Sequence, residues 1–296
     1  MDLSIIIVAF RGYEKLKGTL EAVFNSQTSY SYEVIVVDNN SADGTPEKIL
    51  KDFPQSDYPN LRLIRNENNG FSKGNNIGFK ESKGKNLLIL NPDTAVQTNT
   101  IQKCLDYLNT HSDIGALGCK LIKADGILDP ACRRSFPNPV NSFARLFHLS
   151  KLFPKSKLLN SYNLSYLSEN EIADVDALSG AFMLIPREVF IKAGCFDEKY
   201  FMYGEDLDLC WAIKHLEYRI VYYPDSFTYH YKGQSSRKTP YIALYNFHQA
   251  MWIFYAKHYS KKYFAAISAV IWVGIWLRFL VLLTLNFFRR NKFVSK

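Results

Sequence analysis

The sequence predicts an α/β fold built on a mostly parallel sheet. Short β-branched runs alternate with polar helix-forming stretches through the first half, and turn-rich polar segments follow the runs. The length of 296 residues suits one large domain or two closely joined halves.

Ser4 to Phe10 is a strand and Glu14 to Ser26 a helix. Glu33 to Val37 is a second strand, stopped by the turn-rich Asp38 to Thr45, with Pro46 in the first turn of the next helix. Leu61 to Arg65 is a third strand. A helix from Phe71 to Glu81 is entered through Asn68-Asn69-Gly70, and Asn86 to Leu90 is a central strand ending at Asn91-Pro92-Asp93-Thr94, ahead of a helix-like stretch. Periodicity is lost between Gly126 and Asp174, read as an irregular connection with a helix around Pro139 to Ser150. Strands return at Asp176 to Ile185 and Tyr218 to Tyr222, with a short helix opening at Pro186.

Composition narrows the function. A formal charge of +8 favours acidic partners, meaning anionic lipid or phosphorylated small molecules, while the lack of a basic arm argues against nucleic acid. Neither GxGxxG nor GxxxxGK[ST] occurs, which argues against dinucleotide oxidoreductases and P-loop NTPases. Cys104, Cys119, Cys132, Cys195 and Cys210 form an odd set without metal spacing and read as reduced structural thiols of a cytosolic protein. The N-terminal segment lacks a basic n-region and reads as a first strand rather than a secretion signal. Tyr263 to Phe288 is almost wholly apolar, interrupted by Arg278 and flanked by basic residues on both sides. Its length suffices for one tilted span, whereas the flanks also fit a shallow hairpin with both ends on the cytoplasmic side.

In open parallel sheets ligands bind beyond the carboxyl ends of the strands, where Asp38, Asn66 to Gly70 and Asp93 fall. Asp38 fits either an Asx turn or an acceptor for a nucleobase N–H. Asp93 fits either a turn residue or a ligand of a hard divalent ion. Lys73, in the first turn of a helix, suits either a bound diphosphate or solvent. The neighbours Asn75 and Asn76 are weak helix formers that suggest hydrogen-bonding duty. Gly204-Glu205-Asp206-Leu207-Asp208-Leu209-Cys210-Trp211 places three carboxylates among apolar residues, which fits a charged helix start or a catalytic cluster.

The ordered motifs Val36-Val37-Asp38-Asn39-Asn40-Ser41, Asn69-Gly70-Phe71-Ser72-Lys73-Gly74-Asn75-Asn76, Leu90-Asn91-Pro92-Asp93-Thr94, Ser179-Gly180-Ala181-Phe182, Gly194-Cys195-Phe196-Asp197 and Gly204 to Cys210 resemble family 2 glycosyltransferases. More narrowly the chain is similar to the rhamnosyltransferase-like branch that builds bacterial surface polysaccharides, over about residues 3 to 240. The resemblance implies a GT-A, Rossmann-like nucleotide-diphospho-sugar transferase fold, with a C-terminal membrane-associated helical segment beyond it. It also implies a nucleotide-diphosphate sugar donor, Mg²⁺ or Mn²⁺, and inversion at the anomeric carbon. Residues 1–120 would then form the nucleotide-sugar half, 121–240 the acceptor half and 241–296 the membrane-association segment.

On this resemblance the donor is held by Ala9, Asp38, Asn69, Gly70, Lys73, Asn76, Asn91 and Asp93. The metal falls to Asp93 and His230, with Asn91 replacing the first aspartate of the usual DxD pair. An incoming hydroxyl must lose its proton as it attacks the anomeric carbon, so a positioned carboxylate is needed, with Asp206 the first candidate and Glu205 the second. Asp208 points to another side of the helix and is expected to support structure. Gln234 to Lys238 resembles the QxxRW motif of processive members, but Lys238 stands where Trp is needed, so one sugar per acceptor is expected. The acceptor expected is a saccharide on a polyprenyl diphosphate, reached at the cytoplasmic face of the bacterial plasma membrane. The competing class is a catalytically silent scaffold that binds nucleotide sugar or lipid, against which the retention of Asp93 and Asp206 speaks.

Overall fold

The strands β1 (Leu3–Ala9), β2 (Tyr32–Asn39) and β4 (Asn86–Leu90) are aliphatic runs almost wholly removed from water, as expected of strands covered on both faces. In this computed structural model, which describes residues 1–138, 141, 156, 161–231 and 240–289, they join β3 (Leu61–Asn66) in a parallel block ordered β3-β2-β1-β4. The helices α1 (Tyr13–Phe24), α2 (Thr45–Asp52) and α3 (Phe71–Glu81) link these strands in succession. On α3, Gly74 and Gly78 bring the helix directly onto Val8 and Ile6, where an added Cβ would approach within 2.8 and 2.6 Å. The chain reverses its direction of travel across the sheet between β1 and β4, so the crevice opens at their carboxyl ends.

The second half completes a mixed sheet. β8 (Phe182–Pro186) runs antiparallel to β4 and to β6 (Ile114–Lys123), while β9 (Arg219–His230) runs parallel to β6. β5 (Thr94–Val96) and the two-residue β7 (Ala173–Asp174) both pair antiparallel with β9. α4 (Thr100–Asn109), α5 (Arg187–Lys192) and α6 (Glu205–His215) cover this half. All five cysteines are free thiols.

Several expectations are corrected. The stretch after Asp93 is β5 rather than a helix, because Thr94 registers opposite His230 on β9. The strand expected over Asp176 to Ile185 is confined to β8, since Ala177 bridges to Arg134 and Ser179-Gly180 turns the chain. β9 continues through Pro224-Asp225, where its register on β6 jumps from Tyr223 to Phe227. β6 and α4 were not anticipated at all. Apart from Asn141, the helix expected around Pro139 to Ser150 lies outside the described residues, as does the Gln234 to Lys238 motif.

The C-terminal segment forms α7 (Pro240–His258) and α8 (Ala265–Phe288), an antiparallel pair. α7 is rooted in the main core through Phe254, and α8 is one continuous helix rather than a hairpin within the apolar stretch.

Candidate active site

β1 and β2 pair so that Ala9 stands opposite Asp38 at the carboxyl edge. Asp38 Oδ2 accepts the Ser41 backbone N–H at 2.9 Å, closing an Asx turn, while its buried Oδ1 finds no partner among the described residues. Asp38 lines a cleft of about 310 Å³ with Asn40, Ser41, Gly44, Arg65 and Asn66. A buried acceptor left open beside such a cleft suits an incoming N–H donor. The Asx turn thus uses one oxygen of Asp38 and leaves the other open. Asn39 binds the ends of three elements together: its Nδ2 donates to the Gly70 carbonyl at 3.0 Å and its Oδ1 accepts from Asn66 at 2.9 Å.

Gly70 opens α3 with φ +95° and ψ 174°, a conformation almost reserved for glycine, and its Cβ position lies 2.5 Å from the Phe201 carbonyl oxygen. This close approach docks α3 on the loop before α6: Phe71 N–H donates to Phe201 O at 2.7 Å and the Ser72 hydroxyl to Tyr200 O at 2.7 Å. The Asn76 amide is spent on the same loop, accepting from Phe196 N–H and donating to Phe196 O and Glu198. Asn69 is exposed in the turn ahead of Gly70. Lys73, half-buried in the first turn, makes no ion pair or hydrogen bond among the described residues.

The pairing of β5 with β9 brings Asp93 to His230, with Oδ1 3.4 Å from Nε2, and Tyr231 N–H donates to the Asp93 carbonyl. Asn91 Nδ2 lies 3.5 Å from the same Nε2. On its other side His230 donates Nδ1–H to Asp129 at 3.0 Å, and both residues are almost fully buried. Burial pushes the imidazole down, but the bonds to Asp129 and Asp93 outweigh it and hold His230 above the usual histidine value. Burial likewise pushes Asp93 up, and His230 overrides it to leave the carboxyl lowered.

Asp129 was not picked out from the sequence. It follows the Asp125-Gly126 turn, which folds the chain back so that Asp129 N–H donates to Leu121 O at the end of β6. A carboxylate directly after such a hairpin turn was the available signal. With Nδ1–H committed to Asp129, Nε2 faces Asp93, and release of the Nε2 proton would turn a lone pair to the same place, the arrangement that orients a metal-ligating histidine. The pair fits a hard divalent ion that completes its shell with phosphate and water. Among the described residues no group of three or more such side chains could hold an ion alone.

On α6 the three carboxylates separate. Asp206 Oδ2 accepts from Arg134 at 2.7 Å and from Gly180 N–H at 3.3 Å, while Oδ1 accepts Leu207 N–H at 2.8 Å. Arg134 is buried; burial pushes its guanidinium down and Asp206 more than restores it. It too escaped the sequence reading, because it lies in the irregular connection, fixed there by two backbone bonds to Ala177. Glu205 is buried and its Oε2 finds no partner among the described residues. Burial, then the neighbouring Asp206 charge, push Glu205 up to about 8, against its backbone bond and Arg134. Asp208 has the structural role expected of it: Tyr200, His258 and Lys257 all donate to it, at 3.3, 2.7 and 2.8 Å.

Residues 4–155, just over half of the chain, match the model described as Glycosyl transferase family 2. The N-acetylglucosaminyl-diphospho-decaprenol L-rhamnosyltransferase of Mycobacterium tuberculosis is 27% identical over 252 residues, covering 79% of this chain and 77% of its own. Rhamnosyltransferase WbbL of Escherichia coli is 27% identical over 239 residues, covering 78% and 84%. Among solved structures, the mannosyltransferase PcManGT of Pyrobaculum calidifontis in complex with GDP-Man and Mn²⁺ superposes with a TM-score of 0.59 at 17% identity, covering 86% of this chain and 64% of that one. The fold is thus GT-A. The chain belongs to glycosyltransferase family 2.

Proposed function

We propose that this enzyme moves one rhamnose from dTDP-rhamnose, with inversion, to a saccharide carried on a polyprenyl diphosphate at the cytoplasmic face of the bacterial plasma membrane. The observation that carries the reading is the split between two carboxylate sites. Asp38 leaves a buried oxygen open beside the cleft at the ends of β2 and β3, and Asp206 stands apart on α6, locked by Arg134 and the Gly180 N–H. The choice of sugar and acceptor class draws on the two relatives, both named rhamnosyltransferases, one by its name acting on a diphospho-decaprenol saccharide.

Asp38 Oδ1 accepts the nucleobase N–H, and Lys73, a half-buried cation without an ion pair among the described residues, faces the diphosphate. Asp206 takes the proton of the acceptor hydroxyl as its oxygen bonds to the anomeric carbon. The bond from that carbon to the diphosphate breaks on the opposite side, and its electron pair leaves with dTDP. A divalent ion at Asp93 and His230 would offset the charge gathered on that diphosphate. Asp129 holds His230 in the required tautomer, and Arg134 keeps the Asp206 carboxylate oriented.

Calorimetry of dTDP-rhamnose, UDP-sugars and GDP-sugars with Mg²⁺ or Mn²⁺ tests the donor assignment. dTDP-rhamnose should bind at least tenfold more tightly than the others and only with a divalent ion. Equal or tighter binding of a UDP- or GDP-sugar would refute the choice.

A further inference from the structure

α8 is long and apolar enough to cross a bilayer, yet its polar residues are not distributed as in a lipid-facing span. Ser268 bonds Tyr255 on α7 at 2.9 Å, Arg278 donates to His248 Nε2 on α7 at 2.7 Å and lies over the Phe247 ring, and Asn286 is fully buried. Burial, with Arg278 beside it, pushes His248 down to about 4, so the imidazole is neutral and can accept that bond while its Nδ1–H donates to Leu244 O. The opposite face exposes Ile267, Val270, Val273, Leu277, Leu280 and Val281 without a polar break. Exposed Lys261 and Lys262 precede the helix and exposed Arg289 follows it.

The packing also limits depth. Contacts with α7 extend from Ser268 to Phe279, and α7 is tied to the catalytic domain by Phe254 and by Lys257 and His258 on Asp208. Leu280 to Phe288, the part of α8 beyond Phe279, measures about 14 Å at 1.5 Å per residue, against a hydrocarbon core of about 30 Å. Asn286 is covered by protein even within that stretch. A span would have to peel α8 from α7 and strand Arg278 in lipid.

We propose that α8 lies in the plane of the membrane, its Ile267 to Val281 face sunk into one anionic leaflet and both of its ends on the same side. This rests on the membrane placement proposed above and adds its topology. The Asp206 helix is bonded through Asp208 to α7, so the in-plane helix holds the acceptor side of the site at the level of lipid headgroups.

The test uses the full chain carrying Cys195→Ser and a single reporter, Lys261→Cys or Arg289→Cys, in sealed inside-out vesicles treated with an impermeant maleimide. Both reporters should label equally without detergent. An Arg289→Cys reporter protected until detergent is added would establish a span and overturn the proposal. Purified protein should float with phosphatidylglycerol vesicles at least tenfold more than with phosphatidylcholine, and Val273→Asp/Leu277→Asp should abolish flotation. Failure of the parent to float, or flotation unchanged in the double variant, would also overturn it. Donor calorimetry on the same samples separates either result from failure of the transferase reading.

Discussion

Replacing Glu205 by Gln separates the two carboxylates that the sequence offers as bases. Glu205 is buried with one oxygen unpartnered among the described residues, and its carboxyl is pushed from 4.5 to about 8 by burial and by Asp206. Between those values the folded chain holds a proton that the unfolded chain has released. The unfolded state binds fewer protons there, so stability falls as pH rises from about 4.5 towards 8, at up to 1.4 kcal/mol per unit. From pH 5 to pH 8 this one group removes about 3 to 4 kcal/mol. Glutamine has nearly the same shape and no proton to lose, so Glu205→Gln should lack that part of the slope. Urea unfolding at pH 5, 6.5 and 8 should show the variant gaining on the parent steadily with pH, while sugar transfer stays within about threefold of the parent. Parallel stability profiles would mean that Glu205 is ionised in the fold. Loss of transfer in a stable Glu205→Gln would make it, not Asp206, the base.

Two further substitutions test the donor side. Asp129→Asn removes the charged acceptor of His230 Nδ1–H, and the metal-dependent gain in dTDP affinity should drop about 10- to 100-fold by calorimetry with Mn²⁺ on protein held well below its melting temperature; an unchanged metal response would remove His230 from the ion site. Gly70→Ala should cost about 3 kcal/mol or more, because φ +95° is strained for alanine and its Cβ would meet Phe201 backbone at 2.5 Å. Denaturant unfolding within about 1 kcal/mol of the parent would contradict the close docking of α3 on that loop.

The donor half was readable because its signals are local. Ile5 to Val8, Val34 to Val37 and Leu87 to Leu90 are runs that only a doubly covered strand explains, and the polar residues that follow them lie at the carboxyl edge. The second half hides its order. β6 reads as broken because Gly115 and Gly118 interrupt it, yet these glycines mark close packing: an added Cβ would meet Ile213 and Tyr218 at 2.6 Å or Leu178 at 2.8 Å. Asp129 and Arg134 sit in a proline-rich stretch without periodicity, and only the pairing of β6 with β9 and the Arg134–Ala177 bridge bring them to His230 and Asp206. Asn76 shows the converse limit. Its residue type suggested hydrogen bonding, and hydrogen bonding is what it does, but to the Phe196 backbone and the Glu198 side chain, partners more than a hundred residues away in sequence.

The most direct measurement is release of dTDP from dTDP-rhamnose by the parent and by Asp206→Asn, with a polyprenyl-diphosphate-linked N-acetylglucosamine as acceptor and donor affinity followed in parallel. Removing the proton acceptor while keeping a neutral amide beside Arg134 should lower acceptor-dependent release by at least a hundredfold and leave donor affinity within about threefold. Release by Asp206→Asn at the parent's rate would contradict the assignment of Asp206 as the base.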